Sequence, residues 1–65
     1  MKTYFNWNKY NLDTLDKVTA QRAEIQTFQI KARDKRQFSF ANALQVDVDY
    51  LGELQNRLIG NLNQD

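Results

Sequence analysis

Residues 40–62, FANALQVDVDYLGELQNRLIGNL, carry the strongest structural signal in the chain. Their apolar side chains return every three or four residues, which is the spacing of one face of an α-helix. The members of this series are Phe40, Leu44, Val48, Leu51, Leu54, Leu58 and Leu62. We predict helix over residues 37–62. Asp47 is a residue type that favours helix N-caps, so we expect the region to be divided there into a helix pair.

A second amphipathic segment precedes this region. Its apolar residues also recur near helical spacing, at Leu12, Leu15, Val18, Ile25 and Phe28. We therefore predict helix one over residues 12–33, with Asn11 or Asp13 capping its start. Residues 1–11 are rich in aromatic side chains, and we expect them to form an N-terminal arm that lays its rings on the core.

These segments predict a single small all-α domain over residues 1–65, with about three helices and an N-terminal aromatic arm. The chain has no Pro and only two Gly, which favours helices joined by short polar turns. One alternative stays open. Residues 25–30 and 36–41 are compatible with β-strands, so a β-hairpin at residues 25–41 between two helices would give an α+β fold instead.

Composition limits the class of function. The 9 Lys and Arg residues against 8 Asp and Glu give a net charge of +1, which excludes a strongly basic nucleic-acid coat and a polyanionic mimic. The chain has no His and no Cys, so it lacks the commonest general base and the thiol nucleophile. No Gly-rich phosphate loop is present. We expect no enzymatic activity, no cofactor, no metal ion and no small-molecule substrate.

Size and hydropathy predict the kind of partner. A domain this short buries only about 60% of its unfolded surface, so its stability margin is thin. A homodimer or a larger protein partner is the usual way to supply the shortfall. No apolar run approaches the ~20 residues of a membrane span, and no export signal is recognised at the N-terminus. We therefore expect no membrane association and a cytoplasmic location.

Residues 37–56, QFSFANALQVDVDYLGELQN, resemble the helix-turn-helix of the phage-repressor (Cro-like) family. Gln45 stands at the turn position where that family usually has Gly. The resemblance implies DNA binding and transcription regulation. The matching positions are the apolar–small pair Phe40–Ala41, the residues on either side of the turn, Leu44 and Val46, and the second-helix residues Leu51 and Leu54.

Our first functional hypothesis is thus a small helix-turn-helix-like regulator that binds nucleic acid. Its phosphate contacts would come from a basic cluster, which consists of Lys31, Arg33, Lys35 and Arg36. Such contacts give affinity and salt dependence without sequence choice. The same cluster also suits the C-terminal end of a helix, where cations complement the helix dipole.

The second hypothesis is a phage or mobile-element interaction protein, such as an inhibitor, adaptor or assembly factor, that binds a larger protein. Its partner-binding surface would be an acidic helix face or the aromatic arm. The acidic candidates are Asp47, Asp49 and Glu53, and the aromatic candidates are Tyr4, Phe5 and Trp7. A third hypothesis, a structural piece of a particle, requires the hairpin at residues 25–41. In the all-α fold we expect Leu51 to be buried where the helices cross.

Overall fold

The computed structural model describes the backbone of residues 2–62 and the side chains of residues 2–60. Within that part of the chain the fold is all-helical, as predicted. A short 3₁₀ turn, Trp7–Lys9, is followed by two α-helices, which we call α1, Leu15–Asp34, and α2, Phe38–Leu62.

The β-hairpin alternative is wrong, because residues 25–41 contain helix and a short turn and no strand. The single-domain prediction also covered Met1 and residues 63–65, which lie outside the described residues.

Helix α1 begins later than predicted because Thr14 is its N-cap. Thr14 has an extended backbone, with φ −125° and ψ 154°, and its Oγ1 accepts a hydrogen bond from the Lys17 amide at 3.3 Å. Lys17 Nζ donates to Asp13 Oδ1 at 2.9 Å, and this hydrogen bond lowers the pKa of the Asp13 carboxyl. Asp13 therefore stabilises the first turn through an ion pair and not as the cap.

Helix α1 ends in a Schellman motif, and Lys35–Gln37 connect it to α2. The Gln37 amide donates to the Ala32 carbonyl at 2.8 Å, and the Arg36 amide donates to the Arg33 carbonyl at 2.9 Å. This geometry places Arg36 in the left-handed region, at φ 60°. Gly occupies that position most readily, and a residue with a Cβ atom adopts it at a cost of about 1–2 kcal/mol.

The two helices pack antiparallel along their length. Gln55 Nε2 of α2 donates to Thr19 Oγ1 of α1 at 2.9 Å, and Gln29 Nε2 donates to the Ala41 carbonyl at 3.2 Å. The start of α1 therefore lies beside the far end of α2. Leu51 is fully buried, as expected. The core cluster consists of Trp7, Val18, Ile25, Leu44, Val48 and Leu51.

Helix α2 is one continuous helix and not the predicted helix pair. Asp47, the expected N-cap of a second helix, lies inside α2. The prediction of about three helices is therefore not confirmed, and no helix-turn-helix is seen in the described residues. The physical reason is that the apolar seam runs on without interruption, since Leu44, Val48 and Leu51 are all buried in the same core.

The molecule is an elongated hairpin with principal extents of 46 × 19 × 17 Å. We call the end that carries the Lys35–Gln37 connection the tip. Among the described residues, neither helix combines the length and the apolar character that crossing a bilayer requires.

Candidate protein-interaction surface

One buried carboxylate holds the described part of the N-terminal arm, residues 2–11, against the helices. Asp47 is completely buried and accepts three hydrogen bonds from the arm. The donors are the Tyr4 amide at 2.6 Å, the Phe5 amide at 3.0 Å and Trp7 Nε1 at 3.0 Å. Trp7 is buried in the same cluster as the apolar side chains between α1 and α2. The arm therefore contributes to the core as a third element beside the two helices.

The rings of the arm form a chain of contacts that leads from the core to the tip. The Phe5 and Trp7 ring centroids lie 5.6 Å apart, and those of Tyr4 and Phe5 lie 5.0 Å apart. Tyr4 then meets Phe40, in the first turn of α2, edge to face at 5.2 Å. Such aromatic pairs are favourable beyond the area they bury. The arm therefore fixes Tyr4 beside the start of α2.

Tyr4 forms one wall of a shallow groove of about 550 Å³ at the tip. Phe38 is 59% exposed and Tyr4 is 58% exposed, so two large rings show most of their surface in one small area. Exposed apolar area of this kind marks surfaces that bind other molecules. We call this the tip groove, and its lining residues are Tyr4, Arg36, Gln37, Phe38, Ser39 and Phe40.

The tip is electropositive. The four cations of the basic cluster are all exposed, and Asp34 is the only carboxylate among residues 31–36. Only Arg36 lines the tip groove. Lys31 in α1 and Lys35 directly after its end are four residues apart and lie on one side, and Arg33 lies on another side. The cations therefore surround the helix end and do not form a single track.

The start of α2 contributes a partial positive charge at the tip, where the end of α1 contributes a partial negative one. The first turn of α2, which includes Phe38 and Phe40, contains no acidic residue. The first amides of a helix have no partner within the helix and give it a partial positive charge. Among the described residues the one ion pair joins Lys17 to Asp13, far from the tip. The basic cluster is therefore free of ion pairs in this part of the chain.

The acidic face predicted from sequence does not form, because Asp47 points into the core and not to solvent. Asp49 and Glu53 are exposed and lie one turn apart. Asp49 accepts a hydrogen bond from Gln45 Nε2 at 2.9 Å, and Gln45 Oε1 accepts one from the buried Gln29 amide at 2.7 Å. Asp49 is thus the last member of a series of side-chain hydrogen bonds, through Gln29 and Gln45, that links the two helices.

The aromatic arm is likewise only partly available. Trp7 is buried, Phe5 is half-buried, and Tyr4 alone of the three predicted contacts is exposed. Sequence reasoning did not select Phe38 or Phe40 as site residues. The available signal was the alternation QFSF directly after the basic cluster, which we interpreted as strand or as the start of a helix-turn-helix.

A second concavity, of about 720 Å³, lies between the arm and Tyr50. Residues 2–8 line the rest of it. The side chains described contain no group of three or more Asp or Glu that could hold a metal ion. Comparison with protein-family models, with curated proteins and with solved structures gives no match to this chain.

Proposed function

We propose that this chain is a small non-enzymatic interaction protein that docks the tip of its helical hairpin onto a larger protein. The observation that carries the proposal is the tip groove, where two strongly exposed aromatic rings lie beside an arginine. Aromatic and Arg side chains are enriched in protein interfaces and supply most of the residues whose removal weakens binding.

The position of the groove also supports this function. It lies at one end of an elongated molecule, so a partner could contact it without meeting the rest of the hairpin. The fold holds the Tyr4 ring, which packs against Phe5 and Phe40, and it fixes the backbone of Phe38 in the first turn of α2. Binding groups that are ordered beforehand lose little conformational entropy on association.

Nucleic-acid binding is the second candidate, and the exposure of all four cations of the basic cluster favours it. Phosphate contacts by this cluster would be strongly salt-dependent. A helix-turn-helix mode of reading DNA has less support. It would need a turn at Gln45, which in this structure lies within α2 and bonds to both Gln29 and Asp49. We rank protein binding first for this reason.

Affinity capture with matched variants tests the proposal. Tagged parent chain, Phe38→Ala and Ile59→Ala would each be incubated with host lysate, with and without nuclease. Phe38 and Ile59 are both exposed on α2, at 59% and 43%, but lie at opposite ends of the hairpin. We expect a stoichiometric protein that survives nuclease and is retained by Ile59→Ala but lost with Phe38→Ala.

Two results would contradict this function. Capture that depends on nucleic acid and falls with modest added salt would favour the regulator, with the basic cluster as its binding surface. Equal capture by Phe38→Ala and Ile59→Ala would show that the tip groove is not the docking surface.

A further inference from the structure

We infer that the tip groove takes an acidic protein segment that carries an apolar side chain, with the apolar group between Tyr4 and Phe38 and a carboxylate on Arg36. This inference rests on the proposed function and adds the chemistry of the partner. Tyr4 and Phe38 are the two most exposed rings of the groove, and Arg36 is the one charged residue that lines it.

Charge complementarity selects an anionic partner. The segment of residues 31–36 has four cations against one carboxylate, a net charge of +3 in a chain whose total is only +1. The first turn of α2 lines the same groove and has no acidic residue, and the first amides of a helix have no acceptor within the helix. A guanidinium and a helix N-terminus both bind carboxylates well.

The conformation of Arg36 determines where its guanidinium lies. It occupies a left-handed position that Gly adopts without steric cost, at φ 60°. Strained residues persist where the surrounding structure enforces them. Here the Schellman hydrogen bonds enforce the strain, and the result is that a guanidinium projects at the tip next to the exposed rings.

The arrangement fits a protein segment better than a nucleic-acid strand. A strand of nucleic acid needs a groove of successive cations with interleaved rings. In this chain only one cation of the basic cluster lines the groove, and the others are distributed around the end of α1. The groove itself offers three rings, Tyr4, Phe38 and Phe40, which match apolar side chains flanked by a small number of charges.

Titration of the isotopically labelled full chain with defined short probes, followed by NMR chemical shifts, tests the inference. The main probe is a capped peptide of Asp and Glu with one central Leu-Phe pair. The comparison probes are the same peptide with Lys in place of Asp and Glu, an acidic peptide with Ala-Ala at its centre, and oligothymidine of equal charge. We expect the main probe to shift the amides of residues 36–40 and Tyr4, and to bind most tightly.

Two variants connect the binding to the groove, and a third is their control. Arg36→Gly removes the charge and relieves the backbone, so weaker binding cannot be attributed to unfolding. Tyr4→Ala removes the ring that forms one wall of the tip groove. It keeps the backbone amide that donates a hydrogen bond to Asp47. We expect each to weaken binding of the main probe by about fivefold to tenfold. Arg57→Gln removes one positive charge from exposed α2 surface away from the groove, and we expect an unchanged affinity.

The other outcomes overturn the inference. Tighter binding of oligothymidine, equal binding of the Lys peptide, or equal losses with Arg57→Gln and Arg36→Gly would each show that the groove does not select an acidic apolar segment. The proposed function fails separately. If no probe binds but a captured protein is lost with Phe38→Ala, the interaction function stands and only the chemistry of the partner is wrong.

Discussion

At the scale of single residues, Asp47 is the side chain on which the arm depends. A buried carboxylate is costly unless its oxygens are hydrogen-bonded. Asp47 satisfies this condition with two backbone amides and the Trp7 indole. No buried side-chain polar atom among the described residues lacks a partner. Asp47 therefore acts as an acceptor for the arm and cannot also contact an external partner.

Replacement of Asp47 with Asn tests this role. Asn keeps one acceptor oxygen but turns an amide donor toward groups that are themselves donors. We expect Asp47→Asn to lower the free energy of unfolding by about 3 kcal/mol, because hydrogen bonds to a buried charge are lost and donors are left unpaired. Urea unfolding followed by Trp7 fluorescence measures the change. Asp49→Asn, at an exposed position, is the control, and an equal effect of the two variants would contradict the assignment.

Arg36 gives a prediction of the opposite sign. Its left-handed backbone costs about 1–2 kcal/mol, and the greater flexibility of unfolded Gly offsets about half of that cost. We therefore expect Arg36→Gly to stabilise the fold by about 0.5–1 kcal/mol, with a rise of several degrees in Tm. Calorimetry measures the shift. Arg36→Ala removes the guanidinium but keeps the Cβ strain, so it should give no gain, and stabilisation by Ala as large as by Gly would refute the strain argument.

At the scale of the helices, the continuity of α2 separates this fold from a helix-turn-helix. The two arrangements place Gln45 differently, inside a helix or at a turn. Both need the same apolar residues, Leu44 and Leu51, in the core. A sequence pattern of apolar positions therefore does not distinguish them.

Two substitutions at Gln45 do distinguish them. Gln45→Ala and Gln45→Gly remove the same hydrogen bonds to Gln29 and Asp49. Inside a helix the Gly variant should be less stable than the Ala variant by about 1 kcal/mol. At a left-handed turn the order reverses, since Gly adopts that conformation freely. Denaturant midpoints of the two variants decide the matter, and a more stable Gly variant would restore the helix-turn-helix interpretation.

The positions of the helices were predictable from the sequence, and the role of Asp47 was not. Helical periodicity located α1 and α2 and the buried Leu51, because local spacing determines which face is apolar. The environment of Asp47 was not predictable in this way, since its partners lie 40 or more positions earlier in the chain. An Asp side chain can cap a helix or accept hydrogen bonds from a distant segment. The sequence does not show which of these roles Asp47 has, because the choice depends on the tertiary fold.

The tip groove was unpredictable for a related reason. The basic cluster and the ring of Tyr4 were recognised separately as candidate contacts. They are close together because the arm passes along α2 and places Tyr4, near its N-terminal end, beside Phe40. Trp7, also named as a candidate contact, lies in the core, where its indole donates a hydrogen bond to Asp47.

At the scale of the whole molecule, the arm supplies core that two helices alone do not provide. α1 and α2 pack against each other along one face each, and Trp7 packs against the apolar residues of this interface. Removal of a buried Trp side chain typically costs about 3–5 kcal/mol. A core of this size supplies no more than about 3–5 kcal/mol of net stability. The fold of the hairpin and the docking of the arm are therefore expected to be one cooperative event.

A truncated chain tests this cooperativity. We expect a chain without residues 1–10 to show no cooperative thermal transition by circular dichroism, because it lacks Trp7 and every donor to Asp47. Addition of a synthetic peptide of residues 1–12 should restore helicity and a transition that depends on peptide concentration. A chain without residues 1–3, with Met placed before Tyr4, keeps those donors and should melt like the parent. If the chain without residues 1–10 melted cooperatively near the parent's Tm, the helices would fold alone and the arm would serve only to place Tyr4 at the tip groove.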